Sequence, residues 1–283
     1  MRVDLHSHTI ASDGALTTGE LLQRASEREL AVLAITDHDT VAGLAGAAAT
    51  SAGYGIELVP GVEISAQAAG QTVHVLGLWI DSSDTDLQAF LAGQRAVREQ
   101  RAMDIGQRLQ RQGIEGAYEG ACELAAGAVL SRPHFARFLV EQGHCASLQQ
   151  AYKKWLGRGK PGDVACQWPE LESAVGVIHG AGGLAVLAHP DKYRLSQTRL
   201  RNLLEQFKAS GGDGLELISG NQPDNVTRQL LALAGRYQLA CSLGSDFHSP
   251  AQSWADLGAA GTLPSSAVPI WSLREGGLQA ASR

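Results

Sequence analysis

The sequence predicts an α/β fold. Short apolar runs of strand length recur along the chain and alternate with segments of helical period. Most of these runs end in His, Asp or Glu, and α/β enzymes place their chemistry at the C-terminal edge of their strands. The alternation is interrupted once, between about 84 and 165, by a stretch that reads as helix throughout.

The first strand is expected over about 2–8, ending in Asp4-Leu5-His6-Ser7-His8-Thr9. Strand side chains alternate, so His6 and His8 project from one face and can share an ion, with Asp13 within reach. A helix follows near Thr17, where Thr17 and Glu20 form a capping box, and Leu21, Leu22, Ala25 and Leu30 make its apolar stripe. Strands are expected at 31–36, 57–64 and 72–79, with a Gly/Ala-rich helix at 41–52. They deliver His38 between Asp37 and Asp39, then Glu63, then His74. Helices are expected at 84–112, 131–142 and 147–156. Strands return at 184–188, 213–218 and 239–244, delivering His189, Asn221 and the Asp246-Phe247-His248 group. Several strand ends that each supply a metal-ligand type argue for one multinuclear site. The tail after 265 carries little signal.

This ordered set of motifs resembles the polymerase and histidinol phosphatase (PHP) superfamily. The resemblance implies a distorted barrel of about seven strands and helices with three divalent ions at its mouth. It implies that His6, His8, Glu63 and Asp246 hold one ion, and that Glu63, His74 and His189 hold a second, with Glu63 bridging. Asp13, His38 and His248 would hold the third. Imidazole and carboxylate without thiolate suit manganese, iron or zinc, and the resemblance favours manganese. Asp37 and Asp39 read either as groups that orient the His38 imidazole or as strand-end caps.

Composition sets bounds. With 283 residues, 44% of them hydrophobic and 18% charged, the chain can bury a sizeable core as one α/β domain or a domain with an insert. A net charge of −6 argues against a broadly basic nucleic-acid surface, although metal ions reverse the sign locally. Cys122, Cys145, Cys166 and Cys241 lack C-x-x-C spacing and are expected as free thiols. No apolar stretch has membrane-spanning length, and a strand at residue 2 leaves no room for a signal peptide. The expected location is cytoplasmic.

Residues 94–165 read as a helical insert over the mouth of a barrel built from 1–93 and 166–283. In the insert, Ser131-Arg132-Pro133-His134 opens a helix, a position that favours anions. The stretch from Lys153 to Pro161 carries four cations and Trp155; Arg158 and Lys160 there are either phosphate contacts or a solvated helix end. Both segments, with His189-Pro190 leading through Tyr193, resemble one PHP branch. Its members remove the 3'-phosphate of nucleoside 3',5'-bisphosphates or degrade short 5'-phosphorylated RNA from the 5' end. The resemblance implies those two substrate classes, with Arg132 clamping phosphate and His134 as the candidate acid for the leaving oxygen. No membrane or obligate protein partner is evident. Tyr193, Phe135 and Trp155 are open as base-stacking residues, and Asn221 is either a substrate contact or a turn former. Trp79 is expected to pack, and His144 and His179 to be surface or packing residues.

Three ions with Asp13, Glu63, Asp246 and a bridging hydroxide would leave a charge of about +2, suited to a phosphoryl dianion. The rivals are a histidinol-phosphatase-like enzyme and a non-catalytic RNA-binding PHP domain.

Overall fold

The computed structural model describes residues 1–278. Seven strands form one sheet in chain order: β1 (Val3–Asp4), β2 (Val32–Ile35), β3 (Glu57–Ala68), β4 (Gln71–Leu78), β5 (Leu184–Leu187), β6 (Gly214–Ser219) and β7 (Ala240–Gly244). The sheet closes on itself. Leu5 N–H donates to the Leu243 carbonyl at 3.0 Å, and Ser7 bridges Phe247. All neighbours are parallel except β4, which runs against both β3 and β5.

Helices α1 (Thr18–Glu27) and α2 (Ala47–Gly53) follow β1 and β2. No helix separates β3 from β4. Ala69 and Gly70, both at positive φ (50° and 72°), turn the chain directly into a hairpin. After β4 come α3 (Thr85–Gln110), α4 (Ala117–Ala125), α5 (Arg132–Glu141), the short α6 (Leu148–Ala151) and a π-turn at Tyr152–Leu156. Then α7 (Leu171–Gly180), α8 (Gln197–Ala209) and α9 (Asp224–Tyr237) cover β5–β7.

Two large apolar clusters organise most of the chain. The barrel cluster includes Val59, Ile64, Val75, Leu76, Val186, Leu215 and Leu243, with Phe207 and Ile178 from the covering helices. The second runs from Ala102 to Val164 and includes Leu109, Phe135, Leu139 and Leu156. Helix α3 belongs to both, since its first turns place Leu87 and Leu91 in the barrel cluster. A third, smaller cluster lies under α1 and α2.

Several expectations are corrected. The first strand is regular only over Val3–Asp4. Beyond it the backbone still pairs with the segment after β7, but Ser7 N–H turns to Thr36 Oγ1 and Thr9 N–H to Asp37 Oδ1, side chains in place of a regular ladder. Strand β3 runs past 64 to Ala68, because the hairpin gives it a partner along its length. The helix expected at 41–52 is a 3-10 turn at Ala42–Leu44 and then α2, parted at Gly46 with φ 71°. Helix α4 was not expected; its buried face is only Ala117, Ala121 and Ala125. The tail is better ordered than its composition suggests, with Ile270 fully buried and Cys241 N–H bonded to the Val268 carbonyl. Residues beyond 278 lie outside the described residues. The four cysteines are free, and no helix among the described residues is long and apolar enough to cross a membrane.

Candidate metal centre

The C-terminal strand edge gathers all nine of the expected ligand residues into one cluster. Glu63, fully buried, stands at its middle. Its Oε2 lies 3.3 Å from His6 Nε2, 3.2 Å from His8 Nε2 and 3.0 Å from His38 Nδ1. Its Oε1 lies 2.9 Å from both His74 Nδ1 and His189 Nε2. Asp246 Oδ1 is 3.4 Å from Nε2 of both His6 and His8, and His248 Nε2 is 3.3 Å from Asp13 Oδ1.

The donor atoms fall into four overlapping groups: His6, His8 and Asp246; His6, Glu63 and His189; His38, Glu63 and His74; and His8, Asp13, His38 and His248. His6, His8 and His38 each belong to two groups, as Glu63 does, so the donor atoms overlap more than three separate sets would.

These residues fit metal ions on their own chemistry. Buried polar atoms are nearly always hydrogen-bonded, yet His6 Nε2, both nitrogens of His8, Asp13 Oδ1, His38 Nδ1 and Glu63 Oε2 have no hydrogen-bond partner among the described residues. The orphaned atoms are those that converge in the groups. A cation would satisfy them together.

Electrostatics agree. Burial pushes the Glu63 carboxyl up, but His38, His6 and His74 outweigh it and hold it well below the carboxylate range. Burial opposes charge on His248 too, and Asp13 beside it wins, pushing the imidazole up to about 10. His38 is driven well below its ordinary value, burial being the largest cause.

The backbone is strained here. His189, Asp246 and Asp39 all have positive φ (28°, 56° and 50°), a conformation that persists only where the surroundings enforce it. Gly244 permits the closest approach. A Cβ there would sit 2.3 Å from the Cβ of His6.

Glu216, on β6, is a supporting residue that sequence reasoning missed. It is buried; Oε1 lies 3.0 Å from His6 Nδ1, and Oε2 accepts the His189 N–H at 2.6 Å. A carboxylate on the far nitrogen fixes the tautomer of a liganding imidazole. The available signal was a lone acid inside the apolar run Leu215–Ile218.

Asp37 and Asp39 do not orient His38. Asp37 accepts from Thr9 N–H and Oγ1 and from Ser12 Oγ, at 2.6–2.7 Å. Asp39 accepts from Ser65 N–H, Gln94 Nε2 and Arg98 Nε (2.6 Å). One closes the first loop, and the other ties helix α3 to the barrel. Capping is the better account of both.

The insert reaches the cluster through Ser131, whose Oγ donates to Asp13 Oδ2 at 3.3 Å. His134 is buried at the first turn of α5, and its Nδ1 accepts the Ser131 N–H at 3.1 Å. That bond places the proton of the neutral ring on Nε2. Burial pushes its pKa down, which keeps the ring neutral. Arg132, half-buried beside Ser131, makes no hydrogen bond among the described residues.

Other expected contacts are placed differently. Tyr193 Oη accepts the His74 N–H at 2.8 Å, and its ring meets His189 edge-on at 5.5 Å. It braces the His74 backbone and the His189 imidazole. Phe135 is fully buried in the second cluster and cannot stack on a ligand. Asn221 has an exposed side chain, while its N–H bonds to the Trp254 carbonyl, so its turn role is what the structure displays. Arg158 and Lys160 are exposed on the loop after the π-turn and are not in the buried cluster. Trp79 packs on the barrel cluster, His179 pairs with Asp213 at 2.8 Å, and His144 is partly buried.

A closed seven-stranded barrel with imidazoles and carboxylates converging at its mouth is a fold and site of the metallohydrolase kind. Residues 4–219 match the PHP domain family, and the chain belongs to it. It is similar to the 5'-3' exoribonuclease Rnm of Escherichia coli K12, 46% identical over 274 residues, covering 96% of this chain and 93% of that protein. It is 43% identical over 270 residues to a 3',5'-nucleoside bisphosphate phosphatase of Chromobacterium violaceum, covering 95% of each. Among solved structures, an amidohydrolase of Chromobacterium violaceum with bound sulfate and no metal matches with a TM-score of 0.91 and 42% identity, over 96% of this chain and 95% of that one.

Proposed function

We propose that this protein is a metal-dependent phosphoesterase that hydrolyses the 3'-phosphate of nucleoside 3',5'-bisphosphates, such as adenosine 3',5'-bisphosphate, and degrades 5'-phosphorylated RNA from its 5' end. The carrying observation is the cluster around Glu63, with its orphaned buried donor atoms and the insert's Ser131 hydrogen-bonded to Asp13. The relatives' names support the substrate class.

His6, His8, Glu63 and Asp246 would hold one ion, Glu63, His74 and His189 a second, and Asp13, His38 and His248 a third; the donor set suits manganese, iron or zinc, and the family resemblance favours manganese. Such ions supply Lewis-acid charge for phosphate oxygens and lower the pKa of water toward neutrality. The chain's own residues do the rest. Arg132 holds a phosphate oxygen pair through its planar fork. Water adds to phosphorus as the P–O3' bond breaks; the departing O3' accepts a hydrogen bond from the His134 Nε2–H and takes up the proton that the attacking water gives up. Ser131 fixes the ring through Nδ1, so the donor nitrogen points one way. Free thiols fit a reducing compartment, and we place the protein in the cytoplasm.

Product analysis after incubating manganese-loaded protein with adenosine 3',5'-bisphosphate tests this reading. The expected products are phosphate and 5'-AMP. Turnover of histidinol phosphate but not of the bisphosphate, with metal content verified, would overturn it.

A further inference from the structure

Helices α3–α5 cover one side of the barrel mouth. Arg98 bonds to Asp39 and Ser65, Val129 N–H to the Ala11 carbonyl, and Ser131 and Arg137 to Asp13. These partners all lie on or just after β1, β2 and β3. Among the described residues, no hydrogen bond or ion pair joins those helices to the chain just after β5, β6 or β7. The open side therefore consists of three neighbouring strand ends, and two of them carry a side chain that the fold does not use.

Trp254, in the loop after β7, is the most exposed large hydrophobic side chain among the described residues, at 62%. Tryptophan is ordinarily well buried. The loop itself is tightly held. Asn221 N–H donates to the Trp254 carbonyl at 2.9 Å, and Asp256 accepts from Arg24 Nε and Nη2 at 2.8 and 2.9 Å. Leu257 packs in the small cluster under α1 and α2. Gly220 brings this loop against the edge of the metal centre. A Cβ there would lie 3.1 Å from the Trp254 carbonyl oxygen and 3.2 Å from that of Ser245, which precedes Asp246. A fixed backbone thus presents an uncovered indole beside a strand end of the centre. After β5, Arg194 is exposed at φ 52° and makes no hydrogen bond or ion pair among the described residues. It follows Tyr193, which braces the His74 backbone and the His189 ring.

We propose that this open rim carries the RNA on the 3' side of the scissile phosphate, with Trp254 stacking on the first base beyond the cut and Arg194 meeting the phosphate chain. The inference rests on the phosphoesterase reading above and concerns the part of an RNA substrate that a bisphosphate lacks. Both substrates lose the same P–O3' bond. In the bisphosphate the phosphorus carries terminal oxygens only, whereas in RNA one of those oxygens bears the next nucleoside. His134 addresses O3', so the 5' nucleotide lies toward α5, and the next nucleotide leaves on the side that α3–α5 do not cover. Every base has a π face, so an indole grips it without selecting sequence. The Arg194 guanidinium supplies local positive charge for the phosphodiester in a chain whose net charge is −6. A platform already fixed in place loses little freedom when the base arrives.

The test measures kcat/KM for 5'-phosphorylated diadenylate and for adenosine 3',5'-bisphosphate, and follows the ratio of the first to the second. A ratio is insensitive to any fraction of misfolded protein. Trp254→Ala should lower it by roughly 5- to 150-fold, and Trp254→Phe should retain most of it, since a phenyl ring still stacks. Arg194→Met should lower it by a smaller factor that fades as salt rises. An abasic residue at the second position should cost the wild type as much as Trp254→Ala does, and cost that variant little. An unchanged ratio in Trp254→Ala would overturn the proposal; if sedimentation then shows self-association lost, the ring belongs to a contact between copies. Hydrolysis of the bisphosphate but not of the diadenylate by the wild type would overturn it as well. If the metal-loaded wild type turns over neither substrate, the phosphoesterase reading fails by itself. The rim is then judged by the binding of a fluorescently labelled 5'-phosphorylated oligoadenylate. Trp254→Ala should weaken that binding, and equal affinity in both proteins would remove the track.

Discussion

Glu216 touches the His6 imidazole and the His189 backbone N–H without joining the metal centre. Removing such a support ordinarily costs metal affinity about 10–100-fold. Glu216→Gln should therefore weaken metal retention by about that factor while the fold persists, as read by metal analysis after dialysis alongside circular dichroism. His134→Ala should behave in the opposite way, keeping its metal and losing turnover by about 10²-fold or more, since one preorganised donor to a developing oxyanion contributes that much. Near-normal turnover would remove the assignment. The nine cluster residues were legible in the sequence because metal donors must follow strand ends, and that order survives in the chain as motifs. Glu216 was not. A single acid in a strand carries no spacing signal, and its meaning lies in His6 and His189, 210 and 27 residues away. Asp37 and Asp39 were legible as polar but misleading in role, because adjacency to His38 in sequence says nothing about where an oxygen points.

Helix α3 is the element that joins the two apolar clusters, and it does so with polar groups. Arg98 and Gln94, both buried, reach Asp39 and Ser65 in the barrel. Arg98→Met strands the Asp39 carboxylate, and breaking a buried pair from one side costs about 3–5 kcal/mol; Ser65 and Gln94 remain as donors, which favours the lower end. Urea unfolding of metal-loaded protein is the measurement, and a loss under 1 kcal/mol would count against the strut. At this scale the strands and long helices were readable from their periods. The hairpin between β3 and β4 was not anticipated as a departure from strand–helix alternation, although the short gap between 64 and 72 contained it. Helix α4 escaped notice because alanine and glycine give no apolar stripe, and packing alone supports it.

For the molecule as a whole, metal and proton compete for one cluster. His248 is pushed up to about 10 by Asp13 without an ion present, so near pH 7 the metal-free protein carries that proton and an incoming ion must expel it. The raised pKa means the proton's own contribution to the metal-free fold is complete below about 6.5 and is lost as pH rises through about 10. Metal occupancy should therefore rise with pH across the neutral range. Calorimetric titration of metal into metal-free protein, in buffers of differing ionisation enthalpy, should report net proton release; proton uptake would contradict the arrangement. Chelation should also lower the melting temperature, in proportion to the ions lost.

Closure of β7 onto β1 bears on how the protein is made. His6 and His8 leave the ribosome first, while Asp246 and His248 come from the strand that pairs back onto that beginning. A chain still under synthesis holds seven of the nine cluster residues and lacks Asp246 and His248 across from His6, His8 and Asp13. An enzyme that consumes RNA ends would thus stay inert beside the messenger that encodes it until its last strand is home.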